Sequence, residues 1–589
     1  MLWSASRPLS VGVVGWIVAS AVAPAAVVIM LGLVVGSVPG AVEHGLGSAD
    51  GRALVVALVV AAVVYGLSLL LDPVGNALGT AANARITASL QARLLTAVSG
   101  PVGVDHLEDS DVLDRLARAE GSLTGYFPGD APVTWAGLLS SRIAGLLGCV
   151  AIGIYCWWLG LLLLVMWIVV RRLMLRVIVK QATDLRGQTS TMRRAWYLAG
   201  VGTKARDAKE VRVFGLSDFV AARFRDSYGE SIQAASPGLA AIHRRAGAAY
   251  AIVLAGYGVA LAVLAVGVVS HQLGVGGIAI LLPMLTVTMS TGSVGLDDIT
   301  LTWSLAAIPD VDGLERDLRP GSLEGEEAVA GRPRQSLRFV DVSFAYAGTE
   351  ASVLDGVDLD IAAGGSMAIV GGNGAGKSTL VSLLSRLHDV SGGRIEVDGT
   401  DIRILDPGQW QRSIAVMPQD PARYPVSAYD NIAFGAIEHR DDRAGVERAA
   451  GLSGFAEVVP GLPNGWDTLL ARGLPGGVDL SGGQWQRLAL ARALFATQHG
   501  ARLLVLDEPT AALDVRSEAR FYDRFLDITR GLTTIVISHR FATVRRADTI
   551  CVLENGRITE KGSHDELLAL GRRYARMYSV QARQFGGAE

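Results

Sequence analysis

The residues Gly371-Gly372-Asn373-Gly374-Ala375-Gly376-Lys377-Ser378-Thr379 fit the pattern G-x-x-x-x-G-K-[ST]. They follow the apolar run 367–370 and precede the helix-forming run 380–384, the order of strand, loop and helix in which this pattern binds phosphates. Glycines there let backbone N–H groups turn inward around an anion. Lys377 would bring a point charge to the β- and γ-phosphates of a nucleotide, and Ser378 a hydroxyl to Mg2+. A chain with 70 glycines has many loose turns, but chance seldom ends one in Lys-Ser behind an apolar strand.

Two later stretches supply what a phosphate loop lacks. Leu503-Leu504-Val505-Leu506-Asp507-Glu508 reads as a buried strand ending in two carboxylates, which carries acids to the carboxyl edge of a parallel sheet. Asp507 is placed to hold Mg2+ and Glu508 to polarise a water in line with the γ-phosphate. Before them, Leu480-Ser481-Gly482-Gly483-Gln484 opens a helix that continues through Gln486-Arg487-Leu488. Its free N–H groups and helix dipole point at a second anion.

At this point residues 336–580 resemble the ATP-binding cassette (ABC) family, with its motifs in the expected order. Tyr346 looks like the aromatic that stacks on adenine, and Gln419 like the glutamine that senses Mg2+ and the γ-phosphate. The segment with Ser481, Gly482, Gly483 and Gln484 is similar to the family signature, Ala512-Leu513-Asp514 to its dimer-contact loop, and His539 to its γ-phosphate histidine. The resemblance implies ATP and Mg2+ as cofactors, with Glu508, His539 and Gln419 catalytic, and Ser378, Gln419 and Asp507 around the metal. It also implies that the signature meets ATP held by an opposite subunit. Both half-sites look complete here, so a homodimer is expected, with a heterodimer of related half-transporters as the alternative.

These motifs must be carried by two different kinds of structure. Half of the residues are hydrophobic and only 19% charged, mean hydropathy is +0.37, and the apolar excess lies before about residue 300. Taking roughly 20 residues per crossing, spans are expected at 11–38, 53–71, two within 131–170, 246–270 and 274–295, six in all. The segment between the fourth and fifth spans is rich in arginine, from Arg171 to Arg245, whereas the loops of the other face hold Arg52 alone. Positive flanks stay inside, so an even span count leaves the cassette in the cytoplasm. A cleaved signal peptide at Ala21-Val22-Ala23 is disfavoured by the length of the first apolar run.

The expected fold is therefore an all-α six-helix transmembrane domain of exporter type over 1–315, a linker over 316–335, and an α/β P-loop NTPase over 336–589. Residues 106–119 look like the first short coupling helix of such exporters, and 207–215 like the approach to the second. Residues 309–335, with Pro309, Pro320, Gly321 and Pro333, read as a solvated linker. Net charge of −3 argues against a nucleic-acid partner. The three cysteines, Cys149, Cys156 and Cys551, indicate no disulfide or metal site. Scarce lysine beside abundant arginine, alanine and glycine suggests a GC-rich bacterial genome.

The expected activity is ATP-driven export of a small molecule, lipid or peptide across the bacterial cytoplasmic membrane. The alternatives are an importer of exporter-like fold, as for some siderophores, and a membrane-anchored regulatory ATPase. Arg142 is the one charge in residues 131–170, an expensive position in a span. It is expected to meet an anionic group of the substrate, to pair with Asp297 or Asp298, or to sit at an interface. Trp135, Tyr155, Trp157, Trp158, Trp167, Met284 and Met289 could line an apolar cavity or simply pack.

Overall fold

The computed structural model describes residues 6–121, 125–186, 189–204, 207–235, 239–318, 325–329, 331–346, 348–349, 351–509, 531–538 and 540–585. The chain forms two compact units, Met1–Gly100 with Glu108–Arg319, and Pro101–Leu107 with Pro320–Glu589.

The first unit is helical: α1 (Arg7–His44), α2 (Ala49–Ser99), α3 (Ser110–Ala119), α4 (Ala131–Tyr155), α5 (Trp157–Arg186), α6 (Thr189–Thr203), α7 (Ala208–Val213), α8 (Ser217–Ala235), α9 (Leu239–Val269), α10 (Val275–Thr288) and α11 (Leu296–Asp317). Five helical stretches among the described residues are long and apolar enough to cross a membrane, those of α1, α2, α4, α9 and α10 with α11. The run 131–170 is broken at Cys156, where α4 stops and α5 begins. The uncharged residues 157–170 of α5 then meet Arg171 and Arg172.

On α2, Val55, Val56, Leu58, Val59, Val63 and Leu67 are all exposed, as expected where lipid tails rather than protein cover a face. Small residues allow close helix crossings. A Cβ on Gly32 of α1 would fall 2.0 Å from Cγ1 of Ile280 on α10, so only glycine allows this approach.

Two expectations shift here. Residues 106–119 do not form one coupling helix: Asp105–Leu107 is a 3-10 turn grouped with the second unit, whereas α3 packs on α11 in the first. Arg115 and Arg118 tie α3 to Asp317 and Asp310, which accounts for its charged face. Nor is 309–335 uniformly a solvated linker. Helix α11 runs through Pro309 to Asp317, and Val329 is buried in the core of the second unit.

That second unit has a four-stranded antiparallel sheet in the order β2-β1-β4-β5 and a six-stranded sheet in the order β10-β9-β3-β8-β7-β6. Their strands are β1 (Ser336–Phe344), β2 (Leu354–Ala362), β3 (Ser366–Gly371), β4 (Gly392–Val397), β5 (Thr400–Asp401), β6 (Ile414–Met417), β7 (Leu503–Asp507), β8 (Thr533–Ile537), β9 (Thr549–Glu554) and β10 (Arg557–Gly562). Strands β3, β6, β7, β8 and β9 are parallel. Every residue of β7 and β8 is buried, which accounts for the apolar runs 503–506 and 535–537. Helix α12 (Lys377–Leu384) follows β3, and α13 (Gly482–Gln498) packs in a separate core cluster with β6 and β7.

Candidate nucleotide site at the sheet edge

The phosphate loop leaves the end of β3. Gly376 has φ +100°, and a Cβ there would lie 2.7 Å from a Leu354 methyl and 3.1 Å from the Val353 carbonyl. Both conformation and space therefore demand glycine. The loop runs directly into α12, so the N–H groups of its first turn are free of intrahelical partners. The Lys377 ammonium folds back over the loop, donating to the carbonyls of Gly371 at 3.0 Å and Gly372 at 2.8 Å. Asn373, Gly374 and Ala375 form the turn between them.

Two neighbouring strands bring in the acids. Ser378 Oγ donates to Asp507 Oδ2 at 3.0 Å, and Asp507 is only 6% exposed. Burial pushes the Asp507 carboxyl above its ordinary range; the Glu508 charge adds to this, while Ser378 and Lys377 oppose it. Among the described residues no lysine or arginine forms an ion pair with it. Glu508 sits at φ +50°, a left-handed conformation that a non-glycine residue adopts only under constraint. The constraint is visible: its N–H donates to the Ile537 carbonyl at 2.9 Å, and Gln419 Nε2 donates to its Oε2 at 3.0 Å.

Tyr346 closes the other side. Its hydroxyl lies 3.2 Å from Thr379 Oγ1, and its ring meets Phe344 edge to face at 4.9 Å. Ser378, Thr379, Asp507, Glu508, Gln419 and Tyr346 are thus linked in pairs around one loop. The signature is built differently. Ser481 caps α13 and accepts from Gln484 N–H at 3.4 Å, while Gln484 Oε1 accepts from Ser481 N–H at 2.8 Å. This reciprocal box leaves Gly482 and Gly483 in the first turn. Residues 512–514 and His539 lie outside the described residues.

Residues 354–511 match the family model for the ABC transporter. An ATP-dependent lipid A-core flippase of Chromohalobacter salexigens is 41% identical over 283 residues, 48% of this chain and 47% of the flippase. A cyclolysin secretion/processing ATP-binding protein of Bordetella pertussis is 42% identical over 265 residues, 44% of this chain and 36% of that protein. The chain thus spans about half the length, or less, of the curated relatives it matches. Among solved structures, a bacterial Atm1-family ABC exporter with ATP bound covers 98% of both chains at 26% identity, with a TM-score of 0.70. Residues 354–511 thus match an ABC transporter cassette, and the whole chain is similar in fold to an ABC exporter.

In the helical unit, Arg142 finds partners within the protein. From α4 it donates to the Ser290 carbonyl at 2.7 Å and to Asp298 of α11 at 3.0 Å. Arg171 of α5 reaches the other oxygen of Asp298 at 3.0 Å. Asp298 is 3% exposed and also accepts from Gly295 N–H at 3.2 Å. Sequence reasoning named Asp298 among the options but missed Arg171, which had been counted only as a cytoplasmic flank. Of the aromatic and methionine candidates, Trp167 and Met284 belong to the buried core, whereas Trp135, Trp157, Trp158 and Met289 are exposed. Tyr155 is partly buried against that core.

Proposed function

We propose that this chain is one half of a dimer that exports a small molecule, lipid or peptide at the expense of ATP. The observation that carries the reading is a division of labour inside one cassette. Lys377, Ser378, Asp507, Glu508 and Gln419 assemble around the loop after β3, while Ser481 and Gln484 spend their hydrogen bonds on each other and present a helix start. Such a start suits the γ-phosphate of ATP held by a second copy, so two copies would enclose two nucleotides. The lipid and protein cargoes in the names of the relatives support outward transport, and the apolar helices support a site in the bacterial cytoplasmic membrane with the cassette inside.

Backbone N–H groups of 371–379 and the Lys377 ammonium would hold the phosphates, with Tyr346 against the base. Ser378 and Asp507 offer two hard oxygens 3.0 Å apart, and a buried carboxylate without a cation fits a divalent ion. When bound, Mg2+ would neutralise charge on the β- and γ-phosphates. Glu508, held by Gln419, would take a proton from the water whose oxygen attacks the γ-phosphorus, as the bond to the bridging oxygen breaks and ADP leaves. His539 would contact the same phosphate. Closure favours the outward-facing state because the sandwiched phosphates bind only the closed dimer.

The Glu508→Gln variant in lipid nanodiscs should keep ATP affinity and lose turnover by about 10²–10⁴-fold; normal turnover would sink the assignment. ATP-dependent filling of inside-out vesicles distinguishes export from import, which empties them, and from a regulator, which does neither.

A further inference from the structure

The short segment Pro101–Leu107, which directly follows α2, is part of the cassette unit. Val104 N–H donates to the Leu387 carbonyl at 2.9 Å. Gln411 Nε2 donates both to the Val102 carbonyl at 3.2 Å and to the Ser385 carbonyl at 3.0 Å. The Asp105 carboxylate is bonded to Nδ1 of His388. All these contacts converge on residues 385–388, the turn that ends α12, the helix whose first turn faces the phosphates.

His388 has a second attachment. Its imidazole is 5% exposed and lies edge to face with Tyr346 at 5.4 Å and against Phe344 at 5.6 Å. A buried ring that is packed on an aromatic along one edge and bonded to a carboxylate along another cannot turn without losing one of them. Tyr346 in turn is tied to Thr379 of the phosphate loop. The base side of the site and the segment after α2 thus share a single side chain.

We propose that His388 is a positioning residue that transmits the seating of the nucleotide base on Tyr346 to the segment Pro101–Leu107, through Asp105. The inference rests on the assignment of Tyr346 to the base. It separates two parts of the nucleotide: phosphates fill the loop, but the base is what secures the segment.

The test is hydrogen–deuterium exchange at Val104 N–H, on the full chain in nanodiscs in the Glu508→Gln background. Mg·ATP should slow exchange by about tenfold or more, and Mg·tripolyphosphate, which lacks a base, by less than about twofold. His388→Phe, which keeps a ring but loses the bond, and Asp105→Ala, which removes its partner, should each abolish the slowing by ATP while the Kd for ATP stays within about threefold. His388→Asn, which keeps a polar partner for Asp105 but loses the ring, should also abolish it. Slowing that persists in His388→Phe and Asp105→Ala, or equal slowing by tripolyphosphate, would overturn the proposal. The underlying assignment is read separately: Tyr346→Ala with undiminished ATP affinity would remove Tyr346 from the base, and the proposal with it.

Discussion

Two aspartates of this chain are almost equally buried, Asp507 at 6% and Asp298 at 3% exposed, and they are kept there by opposite means. Asp298 is held by Arg142 and Arg171 and by the Gly295 N–H, while the Ser290 carbonyl accepts a further bond from Arg142. Asp507 has one hydroxyl, from Ser378. Burying a charge is expensive unless it is paired. The first carboxylate is paired inside the protein, whereas the second, among the described residues, has a hydroxyl and no ion pair. The contrast decides how Arg142 is read, since its charge is already engaged within the helical unit.

Removing the acids should therefore have effects of opposite sign. Asp298→Asn strands two guanidinium groups and should cost about 3–5 kcal/mol, seen as a lower unfolding midpoint in detergent. If the midpoint does not move, the clamp is not one, and Arg142 is available to an anionic cargo. Arg142→Met leaves Asp298 with Arg171 and should cost less, about 1.5–3 kcal/mol, in the same measurement. Asp507→Asn should leave the midpoint of the nucleotide-free protein unchanged or slightly raised, while cation-dependent ATP hydrolysis is lost; a large drop would make Asp507 structural.

The smallest effect is on pH. Because burial raises the Asp507 value in the folded state, the folded form holds the proton longer than the unfolded form. Its contribution to stability is favourable at low pH and is lost as pH rises from the ordinary carboxylate range through the raised folded value. The difference in stability between the parent and Asp507→Asn should trace that loss in the absence of nucleotide, and added Mg2+ with ATP should reduce it.

What could be read from the sequence was governed by distance along the chain. The phosphate loop, the apolar β7 and the capped start of α13 are local patterns, in which a few adjacent residues dictate both conformation and chemistry. Ser378 and Asp507 were each assigned to the metal from their own local motifs, whereas Gln419 joined the site only through the family order, because nothing local ties it to Glu508. Arg142 and Asp298 were legible as candidates only because charges are rare among apolar residues; Arg171 was hidden by the arginines that follow it. The segment Pro101–Leu107 carries no periodic pattern, and attention fell on the adjacent α3, whose charged face is used inside the helical unit by Asp310 and Asp317. The extension of α11 through Pro309 was obscured by a residue type usually taken as a helix stop.

Helix α2 continues through Pro73 for 51 residues and ends at Ser99, about 76 Å at 1.5 Å per residue, with Gly100 alone between it and the segment Pro101–Leu107. Over such a lever a tilt of about 5° carries the far end through roughly 7 Å. A change too small to repack the apolar end of the helix would thus become a displacement of several ångströms at its other end, set by leverage along the helix rather than by the strength of any one contact.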